Sequence, residues 1–165
     1  MPSGLVEAGP EDAGAIRAML GPYLEELAEY ADLHESGPHD YPYLDAYWSE
    51  AARHPFTIRC EEGNPVGFVL VRLPESTGTG RHQLAEFYVS PAHRRSGLGM
   101  KAVRDVWRRF PGAWEVQVHV RNVAAVGFWS TATRSFASSE ARITETVSSD
   151  GPRLRFHFDI ARGAR

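Results

Sequence analysis

The sequence predicts an α/β fold, a mixed sheet covered by helices, on three observations. Two β-branched and aromatic runs, Phe56–Glu61 and Val66–Leu73, follow one another across Glu62-Gly63-Asn64-Pro65, as the strands of a hairpin do. The segment Leu84–Val120 then reads strand, helix, strand, a unit whose two strands are expected to pair in parallel with a right-handed crossover. Ala141–Val147 and Leu154–Ile160 close the chain as a second hairpin around Ser148-Ser149-Asp150-Gly151-Pro152. Direct neighbours and a crossover in one chain require strands of both directions.

Taken in order, Gly4–Ala8 is short enough for a first strand, and Pro10-Glu11-Asp12 places proline and acids where a helix begins. Ile16, Met19, Leu20, Leu24 and Leu27 keep helical spacing to about Tyr30. Gly21-Pro22 interrupts that spacing, which predicts a kink or two shorter helices. Residues 31–42 read as a loop, and Tyr43–Ala52 as a short helix carrying Leu44, Tyr47 and Trp48. Pro74–Gly80 reads as a loop before a strand over Gln83–Val89 and a helix over Gly97–Phe110, which Pro111-Gly112 stops. Trp114–Val120 alternates apolar and polar side chains, as a strand with one apolar face does. Asn122 caps a last helix to about Thr133, with Ala125, Phe128, Trp129 and Ala132 on related faces.

The length, 165 residues, suits one domain spanning 1–165 with a real core. No apolar run approaches the ~18 residues that span a bilayer, so no membrane partner is expected. The N-terminus lacks a basic segment followed by an apolar core, and the lone Cys60 excludes a disulfide framework. Both point to a cytoplasmic setting. No pair of histidines has metal-ligand spacing, so no metal is expected. Residues 1–50 hold eleven acids and one base, Arg17, whereas the rest of the chain holds ten acids and seventeen bases. That division predicts an acidic surface suited to a cation and a basic one suited to an anion. Arg94, Arg95, Arg104, Arg108 and Arg109 are the basic cluster a nucleic acid would need. The net charge of −3 and the absence of a nucleic-acid motif argue against that partner.

The chemistry concentrates in Glu86–Lys101, where a strand breaks at Pro91, crosses a turn with two arginines and two glycines, and enters a helix. Such a join aims backbone N–H groups and the positive helix end at one point, an anion cradle suited to a phosphate. It fits neither the nucleoside-triphosphate loop nor the dinucleotide turn. Downstream, Asn122 is followed by Ala125, Phe128 and Trp129. His119, on the strand before, has an intrinsic pKa suited to a general base.

Together these residues resemble the GNAT N-acetyltransferase superfamily. Its acyl-CoA loop is Gln/Arg-x-x-Gly-x-Gly/Ala after a strand ending in Val-x-Pro, and here Val89-Ser90-Pro91 precedes Arg94-x-x-Gly97-x-Gly99. Asn122, Ala125 and Phe128-Trp129 match the second signature. The likeness is strongest over Glu86–Trp129, weak before residue 56, and similar in detail to a bacterial branch of the superfamily. It implies a mixed, mostly antiparallel sheet around a central parallel strand–helix–strand unit. It implies acetyl-CoA as co-substrate, its pyrophosphate on Arg94, Arg95, Ser96, Gly97, Leu98, Gly99 and Met100, with Val89, Asn122 and Phe128 completing the site. The backbone near Val89 would pair with the pantetheine arm and polarise the thioester carbonyl.

Direct transfer to an amine requires a base. The resemblance puts that role on Glu86, and strand alternation sets Leu84, Glu86 and Tyr88 on one face of the sheet. The family's usual acid is a tyrosine at the position of Trp129, whose indole cannot serve. Tyr88, Ser130 or water is left to protonate the thiolate, unless no acid is needed. Cys60 lacks an activating neighbour for a covalent route. Acids interleaved with aromatics over 23–48 (Tyr23, Glu25, Glu26, Glu29, Tyr41, Tyr43, Tyr47, Trp48 among them) suit a small amine or a peptide amine as acceptor. The same residues equally suit a solvated helix over a core. The alternative to an enzyme is a non-catalytic acyl-CoA-binding module, and a homodimer is left open.

Overall fold

Seven strands form one sheet in the computed structural model of the chain, which describes residues 3–30 and 41–163. They are β1 (Gly4–Glu7), β2 (Arg53–Arg59), β3 (Pro65–Arg72), β4 (His82–Val89), β5 (Gly112–His119), β6 (Arg142–Ser148) and β7 (Gly151–Ile160). The helices are α1 (Ala13–Ala28), α2 (Ala46–Ser49), α3 (Pro74–Thr77), α4 (Leu98–Arg109) and α5 (Val123–Phe136). The sheet order is β1-β2-β3-β4-β5-β7-β6. Every neighbouring pair is antiparallel except β4 and β5, which are parallel. The mixed, mostly antiparallel sheet with a parallel strand–helix–strand unit is therefore present. Among the described residues, no helix is long and apolar enough to cross a membrane.

Each face of the sheet carries its own core. On one, Ala102, Val103, Val106 and Trp107 of α4 and Trp129 and Ala132 of α5 pack on Phe56, Ile58, Val69, Trp114, Phe156 and Phe158. Trp107 is its centre, with its ring 4.8 Å from Phe158 and 6.3 Å from Trp129. Aromatic contacts of this kind add ~0.5–1.5 kcal/mol each beyond buried area. On the other face, Ile16, Leu20 and Tyr23 of α1 and Leu44 and Tyr47 around α2 cover Phe68, Leu70 and Tyr88.

Several local expectations change. Helix α1 runs unbroken through Pro22. Pro22 and Ala18, whose carbonyl the proline leaves without its usual intrahelical donor, are both exposed, so the lost bond falls on the solvent side of the helix. Strand β2 begins at Arg53, ahead of the expected Phe56, because Pro55 lies just past the last β1 pair, Glu7↔Phe56. A missing N–H breaks no ladder bond there. Only Ala46–Ser49 of the expected Tyr43–Ala52 helix is helical. The expected loop at Pro74 opens with one helical turn, held by Ser76 and Thr77 hydroxyls donating to the Leu73 and Pro74 carbonyls. Of the expected 31–42 loop, residues 31–40 lie outside the described residues.

One change matters for chemistry. Leu70 pairs with Glu86 but Val71 pairs with Leu84, so Ala85 is an extra residue in a β-bulge. The bulge breaks the expected alternation. Leu84 joins the α4–α5 core, whereas Glu86 and Tyr88 face α1.

Candidate functional site

The site begins where β4 and β5 part. They pair only at His82↔Trp114 and Gln83↔Glu115, after which β5 pairs on its far side alone, along β7. Ser90 N–H donates to the Val66 carbonyl at 2.8 Å, and antiparallel alternation then turns the N–H and C=O of Phe87 and Val89 away from β3 into the wedge. Extended backbone facing an opening can accept a strand-like arm.

At the wide end of the wedge, the chain passes through a 3-10 turn at Pro91–His93 and enters α4. The first helical bond within α4 is Lys101 N–H to the Gly97 carbonyl at 3.0 Å, and no side chain caps the end. The N–H groups of Leu98, Gly99 and Met100 therefore precede the hydrogen-bonded ladder at the positive end of the helix dipole. Gly97 has φ +83° with open space around its missing side chain, and Arg95 is the one non-glycine residue with positive φ among the described residues, at 62°. Left-handed backbone at a non-glycine residue is held strain, of the kind that collects in ligand loops.

Gly99 is also a packing position. A side chain there would meet Phe87 Cζ at 3.3 Å, Val89 Cγ2 at 3.5 Å and Phe128 Cε2 at 3.6 Å. Its lack of a side chain seats α4 against β4 and α5. The two arginines also part company. Arg94 gives Nε to the Val89 carbonyl at 2.7 Å and Nη2 to the Glu26 carboxylate at 2.8 and 2.9 Å, with its guanidinium 5.6 Å from the Tyr88 ring centre. It ties α1 to the loop. Arg95 is exposed and, among the described residues, has no carboxylate partner.

On the α1 face, Tyr23 donates its hydroxyl to Glu86 Oε2 at 2.5 Å. Burial raises the Glu86 carboxyl to about 7, although the Tyr23 hydrogen bond and the Arg153 charge oppose it. Burial, then the Glu86 charge, hold the Tyr23 phenol well above its ordinary value, against a backbone hydrogen bond from Phe87. Glu86 lies on β4 beyond the last β4–β5 pair, Gln83↔Glu115, which sets the Tyr23–Glu86 pair beside the wedge. Beside it lies a cavity of about 510 Å³, lined by Tyr41, Tyr43 and Tyr47, by Arg53 and Arg72, and by Gln83, Ala85 and Glu86. That is the size of a small-molecule site. A carboxyl that ionises near pH 7 at the mouth of such a cavity is poised to accept a proton.

The remaining expected residues are placed as follows. Tyr88 is buried between Tyr23 and Phe68 on the α1 face, opposite Trp129 across β4, so it does not stand in for a hydroxyl at the Trp129 position. Trp129 packs against Phe87 and Trp107 in the core. Phe128 stacks on Phe87 with ring centres 5.3 Å apart. Asn122 caps α5, its side-chain oxygen accepting from Ala125 N–H at 3.2 Å. His119 accepts from Arg121 N–H on Nδ1 and bonds the Asp150 carbonyl through Nε2. With both ring nitrogens engaged, it is not a base.

The acetyltransferase (GNAT) family model matches residues 21–132, and the chain belongs to that family. It is an acyltransferase in class. Among solved structures, it is similar to an acetyltransferase of the GNAT family from Staphylococcus aureus Mu50, with TM-score 0.65, 12% identity, 93% of this chain and 98% of that one covered. An acetyltransferase from Thermus thermophilus aligns with TM-score 0.64, 14% identity and coverage of 95% and 97%. Spermidine N-acetyltransferase from Vibrio cholerae, solved with CoA and spermine, aligns with TM-score 0.63, 14% identity and 94% of both chains. At these identities the likeness is one of fold. No curated protein matches the chain.

Proposed function

We propose that the protein transfers an acetyl group from acetyl-CoA to a primary amine by direct attack of the amine on the thioester. The observation that carries this reading is the Tyr23–Glu86 pair at the mouth of the β4–β5 wedge, next to the uncapped N-terminus of α4. Acetyl-CoA supplies the activated acyl group. Its pyrophosphate suits the N–H groups of Leu98, Gly99 and Met100 and the charge of Arg95, which the loop leaves open for an anion. The N–H of Val89, turned into the wedge, is positioned to polarise a carbonyl. Glu86 takes the proton that the attacking amine must lose, and Tyr23 orients its carboxylate. Tyr23, with its phenol proton held so firmly, is a positioning group and not the thiolate's acid. The CoA-bound spermidine N-acetyltransferase of the same fold supports both halves of the reading, CoA and amine.

The test is a thermal melt with and without acetyl-CoA, followed by free-CoA release across an amine panel. Acetyl-CoA raises the melting temperature and at least one amine releases CoA. A shift with no CoA release from any amine would leave only an acyl-CoA-binding module, and no shift would dismiss both readings.

The two loop arginines give a sharper expectation. Arg95→Ala weakens acetyl-CoA binding about tenfold or less and flattens its salt dependence, with the melting temperature nearly unchanged, because an exposed charge is lost. Arg94→Ala instead lowers the melting temperature, because the Glu26 and Val89 contacts go. Titration calorimetry at two salt concentrations separates the outcomes.

A further inference from the structure

Among the described residues, the cavity beside Glu86 is more basic than an amine site built from the acids of 23–48 would be. Among the described residues, Glu86 is the one acid lining it. Glu26 is taken by Arg94, and Asp45 pairs outside with Arg17 at 3.2 Å. The positive charges lining the cavity among the described residues are Arg53 and Arg72, direct partners across β2 and β3 and therefore side by side on one face. Arg53 gives Nε to Glu50 at 2.6 Å and lies 5.4 Å from the Tyr47 ring centre, which leaves its terminal nitrogens uncommitted to any acid among the described residues. Arg72 donates Nη2 to the Ser76 carbonyl, and its buried Nε has no hydrogen-bond partner among the described residues. The Tyr47 hydroxyl is also without one, on a side chain that is only 2% exposed. Tyr41 and Arg53 lie near enough to influence that phenol, yet neither reaches hydrogen-bond geometry.

Buried donors left unpaired are costly, and Arg72 and Tyr47, which both line the cavity, each hold one just inside its wall. Paired guanidinium groups match the forked oxygens of a carboxylate or a phosphate. A polyamine would bring further positive charge against both arginines. We infer that the acceptor amine carries an oxyanion, held by Arg72 and Arg53 with the Tyr47 hydroxyl, while its amino group faces Glu86. Register supports this spacing: Arg72 is two residues beyond Leu70, the β3 partner of Glu86, so acid and bases are adjacent rows on one sheet face. The substrate class is an amino acid or an amine bearing a phosphomonoester. This rests on the transferase reading above.

Titration calorimetry on the wild-type chain, with and without CoA, tests it. The probes are amino acids, their carboxamides, O-phosphoethanolamine and spermidine. An oxyanion-bearing amine binds about tenfold or more tightly than its uncharged counterpart, because the carboxamide leaves the arginines unpaired. Tighter amino acids assign a carboxylate, and tighter O-phosphoethanolamine assigns a phosphate. Arg72→Gln and, separately, Arg53→Gln abolish the discrimination while the acetyl-CoA thermal shift persists. Carboxamides or spermidine binding as tightly as the oxyanion amines overturns the inference, as does heat from no oxyanion amine when acetyl-CoA still shifts the melt. Failure of the acetyl-CoA shift sinks the transferase reading instead, and oxyanion binding to the chain without CoA is then scored by itself.

Discussion

Glu86→Gln lowers kcat by roughly 10²–10⁴ while acetyl-CoA still raises the melting temperature. The loss is that of a general base, and the shift is retained because other groups, the N–H of Leu98 to Met100, form the cradle. The wild-type kcat rises through about pH 7, where the buried carboxyl ionises, and this limb is absent from the variant. Stability has the opposite sign. A carboxyl whose folded value lies above its unfolded one favours the folded state fully below the unfolded value. That contribution is lost as pH rises through the folded value. At about pH 8, above the folded value, the wild type therefore holds an unfavourable buried charge that glutamine lacks, and glutamine still accepts the Tyr23 hydrogen bond. The variant melts at or above the wild-type temperature. Tyr23→Phe removes a bond that favours ionised Glu86, so its rate profile moves to higher pH. A Glu86→Gln enzyme that turns over like the wild type, or one that is inactive because it melts early, contradicts the assignment.

The sequence shows best what short stretches decide alone. Val89-Ser90-Pro91 and Arg94-x-x-Gly97-x-Gly99 place the strand end, the loop and the helix start because strand break, turn and helix entry are local events. Asn122 is legible as a helix cap for the same reason. What pairing decides is not legible. Tyr23 and Glu86 are 63 positions apart, and no periodicity brings them together. Glu26 pairs with Arg94 across 68 positions and ties α1 to the loop, a contact that no local pattern announces. The bulge at Ala85 is visible only against β3, yet it moves Leu84 to one face and leaves Glu86 on the other. Arg53 and Arg72 look like ordinary strand residues until their register sets them side by side. The acids over 23–48 suit a cation site and a solvated helix equally, and among the described residues the cavity keeps just Glu86. Composition reports the charge of a segment, and the fold chooses which part of it faces the ligand.

Gly97→Val weakens acetyl-CoA binding by about tenfold to a hundredfold, whereas Gly97→Asn restores most of the affinity. Gly97 sits at φ +83° immediately before α4 with nothing near its missing side chain, so the constraint is conformational and not steric. A β-branched residue there costs roughly 1–3 kcal/mol, and each ~1.4 kcal/mol is tenfold in affinity when the loop relaxes away from its binding shape. Relaxation turns the N–H groups of Leu98 to Met100 off their common point, which is what an anion reads. Asparagine tolerates left-handed backbone and so keeps the cradle. Gly99→Ala separates the two glycines. Its methyl group would sit 3.3 Å from Phe87 Cζ, between α4 and β4, so it lowers the melting temperature and moves affinity less than Gly97→Val. Calorimetry of acetyl-CoA binding beside a thermal melt reads both effects. Wild-type affinity in Gly97→Val, or lost affinity at an unchanged melting temperature in Gly99→Ala, would move the cradle from the Gly97 turn to the Gly99 contact.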